Sequence, residues 1–433
     1  MSIRNSNVSS ARTPKAVEKT RWIVAQIGAR EHYALARCAH SNGGLSCFYT
    51  DVWCRFGQTT LARGPRVCRA LAGRWHDDLR YAQVRTLGLR VAIGAALAGR
   101  AGDSRQLHFN FIKAGRRFAQ ILAAQLARCP LEAGRDVFIG YNTASLETLR
   151  ALRERGISTL LAQIDPARTE AALVAGEHRR WPGWQPHSGA GIPEEYWARM
   201  HDEWCEADAV VVNSGWSKRA LETQGVPADK IHIVPLAYER PRGSASGRIR
   251  RAASRRGPLM VLFLGQVNLR KGIPYLLATA ARLPNDIEVT VAGPIAIAAD
   301  KIAAAPANVR FVGTVARADI GKYMDQADVF VLPTVSDGFA ITQLEAMAFG
   351  LPVVATSSCA QVVTDKMDGR VVPPGDVDAL TGALADIAGD AGALEAYSTA
   401  ALRTVDRYSL ARVAVELDMV AQQVVASSGL DGK

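Results

Sequence analysis

Two acidic residues, Asp337 and Glu345, lie eight positions apart in the segment LPTVSDGFAITQLEAMAFGLPVVAT. Asp337 precedes Gly338 in a polar turn that follows an apolar run, and Glu345 lies in the helical pattern that comes next. A carboxylate in such a helix can accept both hydrogen bonds of a ribose diol, and one in the turn can reach a sugar hydroxyl. Taken alone, the segment is explained equally well as a plain strand–helix unit with an N-terminal Asp and a solvated Glu.

The helix of this segment is predicted to run from about Phe339 to Phe349, because Gly350 and Pro352 follow it as stop signals. Backbone N–H groups in the first turn of a helix have no intrahelical partner, and the helix dipole places positive charge there. The first turn is therefore a candidate anion site at the edge of a sheet. Its free N–H groups are predicted to belong to Ala340, Ile341 and Thr342.

A second segment, LFLGQVNLRKGIPYLL, carries two cations in a short loop. A strand is predicted to end at Gly265, the loop contains Arg270 and Lys271, and a helix begins after Gly272. Two cations at the mouth of a sheet neutralise a diphosphate, and stabilising that leaving group lowers the barrier to breaking a sugar–phosphate bond. A single lysine is more often a surface residue. The two segments together are more specific than either one.

Short runs rich in Val and Ile alternate with helical segments in two series, which is typical of β-α-β units in parallel sheets. The first series of strand candidates begins at Arg21, Leu45, Asp136, Ser158, Ala209 and Ile231. The second series begins at Met260, Glu288, Val309, Val329, Pro352 and Arg370. The stretch from Trp53 to Pro130 is predicted to be mostly helical, and the helical tail after Asp376 is long enough to cross back onto the first domain. Two such domains leave a ligand-binding cleft beyond the carboxyl ends of their strands.

Composition limits the class of protein and its partners. The 433 residues, 48% of them hydrophobic, fit two globular domains of about 200 residues each. The net charge of +11 favours an anionic ligand, an anionic membrane surface or nucleic acid. For the basic helix LHFNFIKAGRRFAQILAAQLAR, packing on the sheet is favoured over membrane docking. The arginines from Arg240 to Arg256 indicate a solvated linker.

Cysteine usage and the N-terminus indicate the compartment. The seven cysteines are scattered without a C-x-x-C spacing, which favours a reducing environment over a disulfide framework or a zinc cluster. The first residues are polar and lack the apolar core of a signal peptide, and no stretch is long enough to span a bilayer. No D-x-D occurs at a strand end, so metal independence is expected. The expected location is the cytoplasm, with peripheral contact at the inner membrane face as an option.

Four tryptophans lie in the segment RRWPGWQPHSGAGIPEEYWARMHDEWCEAD. Trp197 and Trp204 are seven positions apart on a predicted helix, which favours a place in the core. Trp181 and Trp184 lie in a Pro/Gly loop, where stacking on a sugar or lipid acceptor is the less favoured of two interpretations.

The C-terminal half resembles the family 4 retaining glycosyltransferases, which have the two-domain GT-B architecture. The matching stretches are NSGWSKRALETQGVPADKIHIVPLAYE, FLGQVNLRKG, VRFVGTVARADIGKYMDQADVFVLPT, DGFAITQLEAMAFGLPVVAT and DGRVVPPGD. The resemblance is good from about Asn213 to Asp376 and weak in the N-terminal half.

This resemblance implies a donor site. It implies that Glu345 holds the donor ribose, that Asp337 lies by the donor sugar, and that Lys271 holds the diphosphate. The family's helix-start amides correspond to Phe339 through Thr342. Donor contacts are accordingly predicted for Gln266, Arg270, Lys271, Asp337, Gly338, Phe339, Ala340, Ile341, Thr342 and Glu345.

The chain departs from the family pattern in its donor half. The first acid is usually Glu and is here Asp337, whose side chain is shorter by one methylene. The family often has Arg directly after the first Gly of the basic loop, where this chain has Gln266. One phosphate cation is therefore missing unless Arg270 or an arginine of the N-terminal domain replaces it.

Departures in the N-terminal half affect the acceptor and the catalytic group. The segment GAREHYALAR replaces the family's Gly-rich loop and predicts Arg30, His32 and Tyr33 on the acceptor side of the cleft. Many members carry a His on an N-domain strand end near the anomeric centre. At the corresponding place, LLAQIDPA, this chain has Gln163 and Asp165, and Asp165 is predicted to join Lys271 and Asp337 as a catalytic residue.

Other classes of protein fit less well. A glycosidase needs two carboxylates about 5–9.5 Å apart, whereas eight residues of helix would separate Asp337 and Glu345 by about 12 Å. A dehydrogenase needs G-x-G-x-x-G after its first strand, which neither QIGARE nor FLGQVNLRKG supplies. A nucleic-acid module is expected to show a basic face with interleaved aromatics or a known motif, and the Arg-rich linker alone is weak evidence for one. An epimerase-like enzyme acting on sugar nucleotides and a catalytically silent sugar-nucleotide-binding subunit remain open.

The sequence thus predicts an α/β protein of two Rossmann-like, doubly wound domains facing a central cleft. The predicted parts are a disordered tail (1–20), an acceptor-side domain (21–237), an Arg-rich linker (238–257), a nucleotide-sugar-binding domain (258–405) and a helix that packs back on the first domain (406–433). By the resemblance, the reaction is transfer of a hexose-type sugar, with retention, from a nucleotide-diphosphate donor to a hydroxyl of a saccharide, lipid-linked saccharide or small molecule. No cofactor, metal or nucleic acid is expected.

Overall fold

The computed structural model contains two α/β domains, each built on one parallel sheet. It describes residues 19–428 except 57–59, 62, 89–90, 92, 95, 97–102, 187–190, 241–246 and 251–256. The predicted tail (1–20) and the predicted linker (238–257) lie largely outside the described residues.

Seven strands form the first sheet. They are β1 (Arg21–Gln26), β2 (Leu45–Thr50), β3 (Val84–Thr86), β4 (Asp136–Tyr141), β5 (Ser158–Gln163), β6 (Ala209–Val212) and β7 (Ile231–Ile233). Their order in the sheet is β3-β2-β1-β4-β5-β6-β7, and neighbouring strands are parallel. The order reverses between β1 and β4, so the crevice of this doubly wound sheet opens there.

Six parallel strands form the second sheet. They are β8 (Leu259–Leu264), β9 (Ile287–Ala292), β10 (Val309–Gly313), β11 (Val329–Leu332), β12 (Val353–Thr356) and β13 (Gly369–Val372). Their order is β10-β9-β8-β11-β12-β13. The order reverses between β8 and β11, and the loops that carry Lys271 and Asp337 follow these two strands. The two sequence segments with candidate chemistry therefore meet at a topological switch point.

Helices cover both faces of the sheets. Before β8 they are α1 (Ala34–Ser41), α2 (Arg66–Ala72), α3 (Ser104–Leu126), α4 (Leu146–Arg153), α5 (Arg168–Arg180), α6 (Glu194–Glu206) and α7 (Gly215–Glu222). After β8 they are α8 (Ile273–Ala280), α9 (Ala299–Ala303), α10 (Ile320–Gln326), α11 (Thr342–Ala348), α12 (Val377–Gly389), α13 (Ala391–Thr404) and α14 (Leu410–Ser428). Within the described ranges, no helix is apolar over a length that would cross a bilayer.

The strand sequences are continuous apolar runs because both faces of each sheet are buried. Along β4, Val137 and Ile139 join the apolar cluster on one side of the sheet, and Phe138 joins the cluster on the other. All three side chains are fully buried. The predicted fold class, two Rossmann-like domains facing a central cleft, is confirmed.

Helix α14 belongs to the core of the first domain, although it lies at the far end of the chain. Its apolar side packs on α1, and Val413 and Leu417 lie in the same buried cluster as Tyr33. The Asp418 carboxylate accepts a hydrogen bond from the Trp22 indole at 2.7 Å. The crossing of the C-terminal helix to the first domain, predicted from its length, is confirmed.

Two predicted elements differ from the structure. The stretch from Trp53 to Pro130 contains an edge strand, β3, which is only three residues long and gives little sequence signal. The helix predicted from Phe339 begins at Thr342, because Ala340 has a left-handed backbone conformation with φ of 58° that interrupts a helix. The distance of about 12 Å used against a glycosidase assumed helix throughout and therefore does not hold.

One arginine of the predicted solvated linker, Arg250, is buried, whereas Arg240 and Arg248 are exposed. Arg250 is 2% exposed and donates to the carbonyl oxygens of Met324 (2.8 Å), Asp325 (3.0 Å) and Phe349 (3.2 Å). These carbonyls lie at the ends of α10 and α11, where backbone acceptors lack intrahelical partners. Burial lowers the pKa of Arg250 to about 10. Arg250 therefore ties two helix ends of the second domain together.

Candidate functional site

The two domains touch where the carboxyl ends of their strands face each other. Gly338, in the turn after β11, packs on the backbone of the first domain just after β5. A Cβ atom at this position would lie 2.5 Å from the carbonyl oxygen of Ile164 and 3.4 Å from the Cα of Asp165. Glycine is therefore the residue that permits this approach, and it brings the acidic turn of one domain against the other.

A buried ion pair between Lys271 and Asp337 lies beside this contact. Lys271 Nζ contacts Asp337 Oδ2, and Arg270 Nη1 lies 3.4 Å from the same oxygen. Burial raises the pKa of Asp337, but the charges of Lys271 and Arg270 outweigh burial and hold the pKa below its ordinary value. The backbone of the basic loop is fixed by Asn268, whose Oδ1 accepts from Lys271 N at 2.9 Å. The two predicted segments are thus joined through their charged side chains.

Asp337 occupies part of the predicted anion site. Its Oδ1 accepts hydrogen bonds from the backbone N–H groups of Phe339 (3.2 Å) and Ala340 (2.9 Å). The amides of Ile341 and Thr342 have no hydrogen-bond acceptor among the described residues. The Asp337 carboxylate therefore accepts from two of the four backbone N–H groups that were predicted to hold phosphate. The N–H groups of Ile341 and Thr342 are the other two.

Glu345 lies on α11 and is half-buried. Burial raises its pKa, and the charge of Arg317 partly offsets that rise. Arg317 lies in the turn that precedes α10, and its Nη1 is 3.3 Å from Nε2 of His32 in the first domain. The negative charge of Glu345 also contributes, after burial, to raising the pKa of Tyr238 to about 12. Glu345 is therefore flanked by one residue that touches the opposite domain and by a tyrosine of the interdomain segment.

The predicted acceptor-side residues have unequal positions. The His32 side chain is exposed overall, but partial burial of its ring, followed by the charges of Arg317 and Arg37, lowers its pKa. Arg317 Nη1 lies 3.3 Å from Nε2 of His32. Arg30 is also exposed, and its charge opposes the rise that burial causes in the pKa of Asp165. Tyr33 is 1% exposed, and its ring packs in the core of the first domain.

Asp165 and Gln163 stabilise the strand end that faces Gly338. Asp165 Oδ1 accepts from Ala167 N at 2.9 Å and from Gln163 Nε2 at 3.1 Å. Burial raises the pKa of Asp165, and these bonds and nearby arginines oppose the rise. Gln163 Oε1 accepts from the indole of Trp204, which lies in the core as predicted. One oxygen of the predicted catalytic Asp165 is thus committed to its own turn.

Gln266 lies at the exposed end of β8. Its Oε1 accepts a hydrogen bond from Asn268 Nδ2 at 3.2 Å, and Asn268 in turn fixes Lys271 N. Arg270, in the same loop, lies with its Nη1 3.4 Å from Asp337 Oδ2. The basic loop therefore holds two cations, Arg270 and Lys271, on one carboxylate.

Sequence reasoning missed Glu170, in the first turn of α5. Its Oε2 accepts from Ser336 Oγ at 3.0 Å and lies 3.5 Å from Arg270 Nη1. Trp216 completes the contact by donating its indole N–H to Ser336 Oγ at 3.1 Å. Burial raises the pKa of Glu170 to about 7, with Arg270 opposing and Asp337 adding to the rise. Its signal in the sequence was its place soon after β5, in the helix that begins at the crevice edge.

Trp181 and Trp184 take part in a contact between the domains. The Trp184 ring packs against the core of the second domain, and Trp181 lies 5.7 Å from the ring of Tyr275 on α8. The hydroxyl of Tyr275 donates to the carboxylate of Glu177 on α5. Gln185 Oε1 accepts from Leu269 N at 3.0 Å, next to the two cations of the basic loop. These residues hold the first domain against the loop that carries Lys271.

The fold and the site define a class: two Rossmann-like domains with a charged cleft at their switch points, as in the GT-B architecture. Family models match two parts of the chain, "Glycosyltransferase Family 4" at residues 142–239 and "Glycosyl transferases group 1" at residues 258–390. The chain belongs to the family 4, group 1 glycosyltransferases.

Curated relatives match part of the chain. A phosphatidyl-myo-inositol mannosyltransferase of Mycolicibacterium smegmatis is 33% identical over 183 residues, which are 39% of this chain and 46% of that protein. The amylovoran biosynthesis glycosyltransferase AmsK of Erwinia amylovora is 28% identical over 185 residues, 39% of this chain and 44% of AmsK. The match therefore spans less than half the length of these relatives.

Solved structures are similar over almost the whole chain. A sucrose-phosphate synthase from Thermosynechococcus elongatus aligns with a TM-score of 0.60 at 16% identity, over 94% of this chain and 100% of that one. Anabaena Alr3699/HepE in complex with UDP aligns with a TM-score of 0.56 at 14% identity, over 93% of this chain and 100% of that one. At these identities the similarity concerns the fold.

Proposed function

We propose that the protein is a retaining glycosyltransferase that moves a hexose-type sugar from a nucleoside-diphosphate donor to an acceptor hydroxyl. The observation that carries this proposal is the convergence of Lys271 and Arg270 on Asp337 at the switch point of the second sheet. Beside them lie the open amides of Ile341 and Thr342. Two cations and two amides suit a diphosphate that leaves with negative charge.

In the proposed complex the diphosphate takes the place that Asp337 now holds between the two cations. Asp337 is then free to accept from a hydroxyl of the donor sugar, and Glu345 to accept from the ribose diol. The bond between the anomeric carbon and the diphosphate breaks, and Lys271 and Arg270 stabilise the charge that develops on the leaving oxygen. The acceptor hydroxyl attacks from the face that the diphosphate leaves, which retains the anomeric configuration, and its proton passes to the departing diphosphate oxygen.

The reaction is proposed to need neither a metal ion nor an organic cofactor, with the nucleotide sugar as co-substrate. The support is electrostatic: the charge that a divalent cation would supply to a diphosphate is already present in Lys271 and Arg270, both next to the same carboxylate. Asp165 stays the proposed catalytic group of the first domain, because its backbone packs against Gly338 at the contact between the domains.

The acceptor is proposed to be reached at an anionic membrane surface on the cytoplasmic side. Residues 53–128 contain 14 of the 52 Lys and Arg but only 3 of the 41 Asp and Glu. The positive excess of this stretch alone equals the net charge of the whole chain, +11. Phe56 and Tyr81 in this stretch are 81% and 84% exposed. Basic residues with exposed aromatics favour an anionic lipid surface. Sedimentation with vesicles should show binding that requires anionic lipid and weakens with salt.

A donor panel tests the proposed function. UDP, GDP and ADP with their sugar conjugates are compared by thermal shift, since a ligand at 100 times its Kd adds about 2.7 kcal/mol to stability. The stabilising conjugate is then followed for transfer and hydrolysis by NMR, which also reports the anomeric configuration. Epimer formation indicates an epimerase-like enzyme, and binding without turnover indicates a silent subunit. Either result contradicts the proposal.

The ribose assignment predicts a specific loss. Glu345→Ala should raise the donor KM at least tenfold or abolish activity without unfolding the protein, because two ribose hydrogen bonds to a charged acceptor are lost. Glu288→Ala, at an exposed position of β9, is the matched control and should have wild-type kinetics. Wild-type donor KM in Glu345→Ala would show that the carboxylate does not hold the ribose.

A further inference from the structure

An open cavity of about 580 Å³ lies at the amino ends of β6 and β7, away from the interdomain cleft. Cys205, in the last turn of α6, and Lys230, just before β7, line this cavity, and so do Gln423 and Ser427 of α14. Its size is within the range of cavities that bind small molecules. The proposed sugar transfer uses none of these residues, although Cys205 and Lys230 carry nucleophilic groups.

A thiol and an imidazole lie side by side on α6. Cys205 Sγ is 3.7 Å from Nδ1 of His201, which lies one turn earlier on the same face of the helix. Both residues are exposed. A thiol becomes a strong nucleophile when a neighbouring base removes its proton. His201 is placed to act as that base, and reagents in solution can reach the sulfur.

The amine of Lys230 lies next to the same cysteine. Its Nζ donates to the backbone oxygen of Cys205 at 3.1 Å. Because the oxygen and the sulfur of one cysteine residue are at most about 5 Å apart, Nζ lies within about 8 Å of Sγ. Rotation of the flexible lysine stem can bring the amine to a group that is bound on the sulfur.

Lys230 is also a better nucleophile than a solvated lysine. Burial lowers its pKa, and the charges of a Cys205 thiolate and of Asp208 oppose this change. A lowered pKa leaves more of the amine uncharged at neutral pH, and the uncharged amine is the form that attacks a carbonyl carbon. The neighbouring Glu206 is paired with Arg153 at 3.1 Å. Within the described ranges, one hydrogen bond to a backbone oxygen therefore holds the amine of Lys230.

We propose that Cys205, His201 and Lys230 form a self-acylation site, which takes an acyl group from an acyl thioester and keeps it on Lys230 as an amide. In the first step His201 accepts the thiol proton, and the sulfur of Cys205 attacks the carbonyl carbon of the thioester. A new S–C bond forms, the S–C bond of the donor breaks, and the donor thiolate takes the proton from His201. Cys205 then carries the acyl group.

In the second step the uncharged amine of Lys230 attacks the acyl carbon on Cys205. The N–C bond forms, the S–C bond breaks, and one amine proton passes to the sulfur, which regenerates the thiol. No oxidant or reductant is needed, because a thioester and an amine become a thiol and an amide. The amide N–H can still donate to the Cys205 oxygen, and the acyl chain is placed at the cavity. The site does not depend on the proposed sugar transfer.

Acetyl-CoA labelled in its acetyl group tests the inference on the wild-type protein. After incubation near neutral pH, peptide mass spectrometry measures the rate of acetylation at each lysine. Lys230 should react at least about tenfold faster than two comparison lysines. Lys218 also donates to backbone oxygens, at 2.9 and 3.1 Å, and Lys322 is exposed. Equal rates at the three lysines would overturn the inference.

Substitutions test each step. Cys205→Ser should lower the rate at Lys230 at least about tenfold, because the thioester on the protein no longer forms. Cys129→Ser, which changes a half-buried thiol of the same domain, is the matched control and should keep the wild-type rate. An unchanged rate in Cys205→Ser or in His201→Gln would contradict the inference. Lys230→Arg should accumulate the acetyl group on Cys205 as a thioester that hydroxylamine releases, and absence of this thioester would contradict the first step.

A reversible block makes the same test without a substitution. Methyl methanethiosulfonate converts exposed thiols to mixed disulfides, and a thiol reductant restores them. The block should stop acetylation of Lys230, the reductant should restore it, and Lys322 should be unaffected by either treatment. Continued acetylation of Lys230 while Cys205 is blocked would show that the amine reacts directly with the donor and would overturn the inference.

Discussion

We expect Glu170 to take up a proton when the donor binds. The affinity for the donor should therefore fall as the pH rises above 7. Burial already raises the pKa of this carboxyl to about 7, and the groups that face it are Arg270, Asp165, Asp337 and Ser336. Arg270 Nη1 lies 3.5 Å from Glu170 and is a proposed phosphate ligand. A phosphate bound at about 3 Å from Arg270 would lie within roughly 6.5 Å of the Glu170 carboxylate.

The size of the effect follows from Coulomb's law. At 6.5 Å and an effective dielectric constant of about 20, each phosphate charge raises the free energy of ionised Glu170 by about 2.5 kcal/mol, or almost two pKa units. Two charges bring the pKa of Glu170 in the complex above about 9. Donor binding thus raises the pKa of Glu170. The affinity for the donor is therefore highest well below pH 7 and decreases as the pH rises through 7. Between pH 6 and pH 8 the donor Kd should rise about tenfold, or about 1.4 kcal/mol.

Isothermal titration calorimetry of an intact nucleotide sugar at pH 6, 7 and 8 measures this effect. A free nucleoside diphosphate is unsuitable, because its terminal phosphate titrates near pH 6. Repeating the pH 7 titration in two buffers of different ionisation enthalpy counts the protons taken up. Glu170→Gln should bind with the same Kd at pH 6 and pH 8, and the exposed Glu194→Gln should keep the wild-type slope. A flat wild-type profile, or an unchanged slope in Glu170→Gln, would refute the coupling between this carboxyl and the donor.

Three further substitutions test the leaving-group site and the fold around it. Lys271→Ala should lower kcat by well over tenfold, about 1.4 kcal/mol or more, and an unchanged kcat in single-turnover kinetics would remove Lys271 from the leaving-group role. Arg250→Ala should lower the free energy of unfolding in urea by about 3 kcal/mol, because three buried carbonyls lose a charged donor, whereas the exposed Arg248→Ala should change it by less than about 0.5 kcal/mol. Ala340→Gly should leave the free energy of unfolding unchanged or raise it by about 0.5 kcal/mol, because it relieves a left-handed alanine, whereas Ala346→Gly inside α11 should lower it by about 1 kcal/mol. Equal losses in the two glycine variants would argue against strain at Ala340.

The strands were predictable because a parallel sheet covered on both faces requires unbroken apolar runs. Of the thirteen strands in the part of the chain that the structure describes, twelve coincide with such runs, and the exception, β3, is a three-residue edge strand. The position of Lys271 near Asp337 was also predictable, since each follows a strand at the edge where ligands bind. Periodicity and the switch-point rule therefore locate the donor side of the cleft from the sequence.

Contacts that depend on the meeting of two domains were not predictable. Glu170 is distant in sequence from Arg270 and Ser336, and only the packing of α5 against the second domain brings them together. The left-handed backbone of Ala340 was also not predicted, because an alanine in a helical pattern gives no sign of positive φ. The burial of Arg250 was not predicted because an arginine-rich stretch is usually solvated, whereas this guanidinium has three specific acceptors.

The position of helix α14 at the end of the sequence delays the completion of the first domain during synthesis. The first sheet ends at Ile233, but the helix that seals its apolar side begins at Leu410. A ribosome that adds about 5–20 residues per second needs roughly 10–35 s to synthesise the residues between them. During that interval the strip later covered by Val413 and Leu417 stays open to water or to chaperones. The first domain to be synthesised is therefore the last to be completed, after the second has already emerged.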